Sequence, residues 1–183
     1  MYSDNSLLPR EAVRLAALGI AMQRAILYAA LVKETRHFTS RYWGATTEVM
    51  ANSIELLRVE ALIATTGEGE DAMVAVTDSG REEFRRLMDA NIRVPASDFN
   101  KLVVALKVRF LHLLEPGEQQ IQLDLLVERF EAELTRLEDA ERTYGAESGA
   151  IGAWIARDIA RAEGDVAWCR RLQRRLATQA AAE

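Results

Sequence analysis

The stretch from Trp43 to Met88 limits the fold most, because its apolar spacing changes from helical to strand-like and back within one short segment. A polar entry at Thr46 and Thr47 leads into Val49, Met50, Ile54, Leu56 and Leu57, the spacing expected when one helical face is buried. Residues 62–64 and 73–76 are short apolar runs, and the segment between them holds two glycines and several acidic residues, which suits a hairpin turn. Thr77, Asp78, Ser79 and Gly80 then start another helix. Ser79 and Glu82 stand at capping-box spacing, with Thr77 as the alternative cap. Helix, strand, turn, strand, helix predicts the second helix of a helix-turn-helix followed by a two-stranded wing.

The flanking sequence is helical. Pro9 falls in the first turn of a helix whose apolar positions are Val13, Ala16, Ala17, Ile20 and Ala21. A second helix, about residues 24–38, carries Ile26, Leu27, Ala30 and Leu31 on its inner side. Beyond the wing, Asn91, Pro95 and Ser97 mark a boundary, which divides the chain into residues 1–94 and residues 95–183. Phe99, Leu102, Val103, Leu106, Phe110 and Leu113 then form a wide apolar stripe, and Pro116 with Gly117 separates that helix from the next. Leu123, Leu126, Val127, Phe130, Leu134 and Leu137 continue at sustained 3,4 spacing to about Tyr144. After a break at residues 145–152 a last helix, about residues 153–177, carries Trp154, Ile155, Ile159, Ala162, Val166, Cys169, Leu172 and Leu176, with Arg170, Arg171, Arg174 and Arg175 on its polar side.

Several motifs together resemble the PadR family of bacterial transcriptional regulators. They are Trp43 and Gly44 before the helix, residues 56–63 at its end, residues 76–81 after the wing, residues 107–119, and residues 166–172 in the last helix. MarR-type winged-helix proteins match the Thr77-x-x-Gly80-Arg81 element as well, but not the later chain. The resemblance covers about residues 12–177. It implies a mainly α fold with a small β-hairpin wing, in which an N-terminal winged helix-turn-helix is followed by a C-terminal helical dimerisation region. It also implies a homodimer that binds double-stranded DNA, with Arg36, Arg41, Thr46, Thr47, Asn52, Ser53 and Arg58 on the DNA side. Phe110, Phe130, Leu134, Trp154, Ile159, Trp168 and Leu172 would make the dimer, and a small aromatic effector would reach the two tryptophans. The basic end of the second helix, with Arg36, His37 and Arg41, either meets phosphates or is a solvated helix end favoured by the helix dipole. The tryptophans likewise have a packing reading beside the effector one.

The charge pattern pulls against the DNA expectation. The chain has a net charge of −5, and residues 1–90 hold 10 Lys and Arg against 13 Asp and Glu. Glu48 and Glu55 lie on the predicted recognition helix, and Glu68, Glu70 and Asp71 occupy the wing tip, where carboxylates repel phosphate. That tip lacks the ligand register of a calcium loop and the Lys-Ser/Thr of a phosphate loop, so a solvated turn is expected and no metal. A single cysteine, Cys169, excludes an intramolecular disulfide framework. Its neighbours Arg170 and Arg171 raise the question of a redox-sensitive thiol, against the ordinary reading of a buried one. There is no zinc-protease, nucleophile-elbow or Walker motif, and His37 and His112 have no nucleophile beside them, so neither catalysis nor a cofactor is expected. No apolar run of membrane-spanning length and no leader-like N-terminus occur, which places the chain in the cytoplasm. Two functions remain: a ligand-responsive DNA-binding repressor, or a winged-helix module that has lost DNA binding and engages a protein partner.

Overall fold

The computed structural model describes residues 5–43, 47–93, 97–147 and 149–180; for residues 47–51, 70 and 180 it describes the backbone only. Contacts divide the chain into two compact units, Met1–Ile92 with Ser97–Glu115, and Arg93–Ala96 with Pro116–Glu183.

The first unit is built around α1 (Pro9–Gln23). Its start is fixed by Pro9 and by the Glu11 carboxylate, which accepts from the Leu8 N–H at 2.8 Å. Residues 15–20 are buried on every side, so α1 is a central helix rather than an amphipathic surface one. Its small residues permit close approach: a Cβ at Gly19 would lie 2.6 Å from the Phe110 ring. That ring belongs to α5 (Asp98–Phe110) and also meets Phe84 edge-on, with centroids 6.2 Å apart. Phe110 is fully buried inside the first unit, so its side chain is not available for the dimer contact expected of it. The same packing carries α5 into the first unit by contact, although its sequence lies beyond the 94/95 boundary.

The expected helix from Arg24 begins later. Ile26–Leu27 forms strand β1, and α2 runs Tyr28–Thr39. Pairing explains the change, since β3 (Met73–Val76) has an edge not used by β2 (Ile63–Thr66), and Ile26 opposite Val74 with Leu27 opposite Met73 fills it. The wing is therefore a three-stranded antiparallel sheet in the order β1-β3-β2. A short 3-10 turn at Gly69–Asp71 caps the hairpin, and Gly67 and Gly69 supply its positive φ angles of 99° and 64°.

α3 (Thr47–Val59) ends in a Schellman motif. The Leu62 N–H donates to Leu57 O at 2.8 Å and the Ala61 N–H to Arg58 O at 3.1 Å, with Ala61 at φ 56° in the position glycine usually takes. The start of α4 (Asp78–Met88) locks onto this turn. Thr77, not Ser79, is the cap: its Oγ1 accepts from the Gly80 N–H at 3.0 Å and donates to Ala61 O at 2.8 Å. Gly80 is required here because a Cβ would stand 2.0 Å from Leu62 O. The Thr77-x-x-Gly80 element thus fastens α4 to the end of α3.

The second unit is an antiparallel pair, α6 (Pro116–Tyr144) and α7 (Ile151–Ala180). Leu123, Leu126 and Leu137 are buried on one helix and Ile155, Ala162, Val166 and Cys169 on the other, at the 3,4,7 spacing of a helical seam. Asp124 to Gln173 at 2.7 Å and Glu131 to Arg170 fix the register. No helix among the described residues is long and apolar enough to cross a membrane.

Candidate nucleic-acid interface

α2 and α3 lie beside each other, with the wing at the end where α2 begins and α3 finishes. Between them is an open concavity of about 640 Å³ lined by Tyr28, Ala29, Val32, Lys33, Arg36, Asn52 and Glu55. A second, of about 480 Å³, is bounded by Tyr28, Glu55 and Arg58 on the helix side and by Thr65, Gly67, Glu68, Gly69 and Ala72 of the wing. Tyr28 and Glu55 form the wall between the two.

That wall is hydrogen bonded. The Tyr28 hydroxyl donates to Glu55 Oε2 at 3.0 Å, and the Arg58 guanidinium donates to Glu55 Oε1 through Nε at 3.1 Å and through Nη2. Bonding to Arg58 and then to Tyr28 holds the Glu55 carboxyl below its ordinary range. Glu55 in turn raises the Arg58 pKa, while burial, followed by the bond to Glu55, raises that of Tyr28. The pair is therefore charged on both sides across any working pH.

Of the residues singled out from the sequence, Asn52, Arg36 and Arg41 are exposed, and Arg58 is exposed but engaged by Glu55. Ser53 is corrected by burial, since at 3% exposure it faces the interior and cannot reach a base edge. Thr46 lies outside the described residues, and Thr47 is described only in its backbone. Lys33 was not anticipated. It stands one turn before Arg36 on α2 and lines the same concavity, a neighbourhood visible in the i, i+3 spacing once α2 is known to start at Tyr28. Lys33, Arg36 and Arg41 make no ion pair with a carboxylate among the described residues, whereas Arg109 and Arg24 both pair with Glu34, at 3.1 and 2.6 Å. Arg109 also covers the Phe38 ring at 4.4 Å.

At the wing tip Glu68 and Asp71 are exposed, while the side chain of Glu70 lies outside the description. Two apolar residues of α3, Leu56 and Val59, are also exposed, at 44% and 70%. Among the described residues no group of three or more His, Cys, Asp or Glu side chains could hold a metal ion.

In the second unit Trp154 and Trp168 are 58% and 39% exposed and fall four turns apart on one side of α7. The Arg157 guanidinium lies 4.8 Å from the Trp154 ring centroid. Phe130, Leu134, Ile159 and Leu172 are half-buried. Cys169 is fully buried and its Sγ faces Leu123 O at 3.9 Å. Burial, with the nearby Asp124 carboxylate, pushes the thiol up to about 11, the opposite of what Arg170 and Arg171 suggest in sequence.

A family model for AphA-like transcriptional regulators matches residues 2–173 of the chain. No curated protein matches it. Among solved structures, the chain is similar to Bacillus subtilis PadR in complex with p-coumaric acid, at 16% identity over 94% of this chain and 99% of that one, with a TM-score of 0.40. It is also similar to Bacillus subtilis PadR in complex with operator DNA, at 18% identity over 90% and 98% of the two chains and a TM-score of 0.37. The Vibrio cholerae virulence activator AphA matches at 15% identity over 91% and 99%, with a TM-score of 0.38.

Proposed function

The chain belongs to the AphA-like transcriptional regulators, and from that premise we propose that it is a homodimeric repressor that occupies operator DNA through α2 and α3. Its family is one of regulators rather than of enzymes. The observation that carries the reading is the shared outer face of the two helices. Asn52, an amide suited to a base edge, lines one concavity with Lys33 and Arg36, whose charges no carboxylate among the described residues pairs. Lys33, Arg36 and Arg41 then take backbone phosphates while the N-terminal turn of α3 enters the major groove, where the sequence reading assigns contacts to Thr46 and Thr47.

The partly exposed residues of α6 and α7 supply the dimer contact, with Trp154, Ile159, Trp168 and Leu172 on one helix and Phe130 and Leu134 on the other. On this reading residues 95–183 carry the dimer and residues 1–94 the winged helix, with α5 packed on the latter. A small aromatic effector that binds two dimer states unequally at these tryptophans shifts the spacing of the two α3 helices.

A second reading has its own support. Leu56 and Val59 expose apolar surface on α3, and the wing tip carries the exposed carboxylates of Glu68 and Asp71, features that suit a protein partner better than a phosphate backbone. Binding of the purified protein to the DNA upstream of its own reading frame and to a random duplex, across a salt series, separates the two. A repressor binds the first more tightly, with log affinity falling by roughly 0.9 per neutralised phosphate. A folded protein that binds neither duplex at low salt, with or without aromatic carboxylates, refutes the DNA reading.

A further inference from the structure

We propose that Glu55 is a specificity-determining residue of the DNA face, which holds the Arg58 guanidinium in an intrahelical ion pair and so withholds one cation from the backbone of arbitrary duplex. The proposal rests on the DNA-binding reading above.

An exposed i, i+3 ion pair alone is a weak restraint, and a phosphate could draw the arginine away. Here the carboxylate is also tied to a different helix. Tyr28, the first residue of α2, gives its hydroxyl to Oε2 while Arg58 gives two donors to Oε1, so Glu55 cannot follow Arg58 outward without leaving Tyr28. The position matters as much as the bonding. Glu55 forms part of the wall of both concavities, with Lys33 and Arg36 on one side and Arg58 with the wing on the other. A phosphate approaching the wing side meets a neutral pair and the Glu68 carboxylate instead of a free guanidinium. Oε1 is filled by its two Arg58 donors, but Oε2 accepts only from Tyr28 and keeps a lone pair, so a base-edge donor such as a cytosine amino group can join the array there without dismantling it, whereas a phosphate cannot. The arrangement discriminates by repulsion, lowering affinity for the wrong site rather than raising it for the right one.

The test uses the full chain as wild type, Glu55→Gln, Arg58→Ala and the double variant, each shown folded by circular dichroism, titrated against a random duplex over a salt series. Glutamine keeps an oxygen for Tyr28 but carries no charge for Arg58. Glu55→Gln is expected to steepen the dependence of log affinity on log salt by roughly 0.9 per protomer, as one more phosphate is neutralised. Near 0.1 M salt that corresponds to roughly eightfold tighter binding relative to a 1 M reference, for each protomer in contact. Arg58→Ala alone should weaken random-duplex binding without steepening the slope, because it leaves the Glu55 carboxylate unpaired beside the phosphates, and the double variant should return to the wild-type slope. A slope that stays steep in the double variant attributes the effect to lost negative charge alone and overturns the proposal. Wild type and Glu55→Gln that bind random DNA identically overturn it too, while leaving the DNA reading intact. Absence of DNA binding in both removes the two together.

Discussion

Lys107 offers a test of the packing that places α5 against the winged helix. The side chain is fully buried, and its Nζ donates to Met88 O at the C-terminal end of α4. Burial lowers its pKa to about 8, and the Asp89 carboxylate only partly offsets this. The folded value therefore lies below the ordinary lysine value of about 10.4. As pH rises the folded chain releases this proton first, so between the two values the unfolded chain binds more protons and stability increases with pH. Worked through linkage, the increase is about 1 kcal/mol between about pH 7 and pH 9, with a similar amount remaining up to about pH 10.5. Cys169 acts in the opposite sense from about pH 8.5 upward, because its thiol stays protonated in the fold up to about 11 and stability falls as the unfolded thiol ionises. The thiol is common to wild type and Lys107→Met, so the difference between the two from about pH 7 to pH 9 isolates the lysine. Urea unfolding at fixed protein concentration should show wild type gaining about 1 kcal/mol relative to Lys107→Met across that window. Parallel pH profiles for the two proteins, or a loss in wild type relative to Lys107→Met, refute the account of this buried ammonium.

Three further changes probe the local structure. Ala61→Gly relieves a left-handed residue at the Schellman turn, which costs an L side chain about 1–2 kcal/mol, while glycine loses about 0.4–1 through the unfolded chain. A net gain of roughly 0.5–1 kcal/mol is expected in the unfolding midpoint, and a loss would mean the turn is not strained. Gly80→Ala should cost about 3 kcal/mol, because the added methyl meets the Leu62 carbonyl, a backbone atom held by Thr77. An unchanged melting temperature would contradict that contact. Cys169 should react with a neutral alkylating agent at pH 8 about two orders of magnitude more slowly than a free thiol, from its thiolate fraction alone. Equal rates in folded and unfolded protein would show the thiol to be accessible.

The winged element was legible because its hydrophobic period changes twice and because Thr77 and Gly80 have jobs that follow from short-range geometry. Choosing Thr77 over Ser79 as the cap needed the structure, since both residues satisfy the same spacing rule. β1 was hidden: two residues, Ile26 and Leu27, carry no period, and only the open edge of β3 makes them a strand. Phe110 shows a different limit. Its place in an apolar stripe was plain, but whether that stripe met α1 or another protomer depended on Gly19, about ninety residues away. The site followed the same rule. Exposed Arg36, Arg41 and Asn52 could be listed from sequence, but the Tyr28–Glu55 bond spans 27 residues and no spacing rule reaches it. Cys169 had a buried and a redox-sensitive reading in the sequence, and its full burial agrees with the first. On a helix, adjacent Arg170 and Arg171 point away from the face that buries the thiol.

These placements bear on how an acidic chain could hold the DNA proposed for it. A net charge of −5 counts arginines that are already spent, such as Arg86 on Glu83, Arg136 on Glu133, Arg142 on Asp139 and Arg58 on Glu55. On the proposed reading, what a phosphate meets is the local remainder, Lys33 and Arg36 on α2 and Arg41 just past its C-terminal end. Three phosphates per protomer make six per dimer, and on the counterion-release relation the slope of log affinity against log salt should lie near roughly −5. If the dimer is made by the exposed tryptophans, Trp154→Ala with Trp168→Ala should yield a monomer in sedimentation and about half that slope. A monomer that keeps the full slope would require about six cations in one copy, more than α2 offers, and would move the contact surface elsewhere. A double variant that remains dimeric would instead take the dimer contact away from this face of α7.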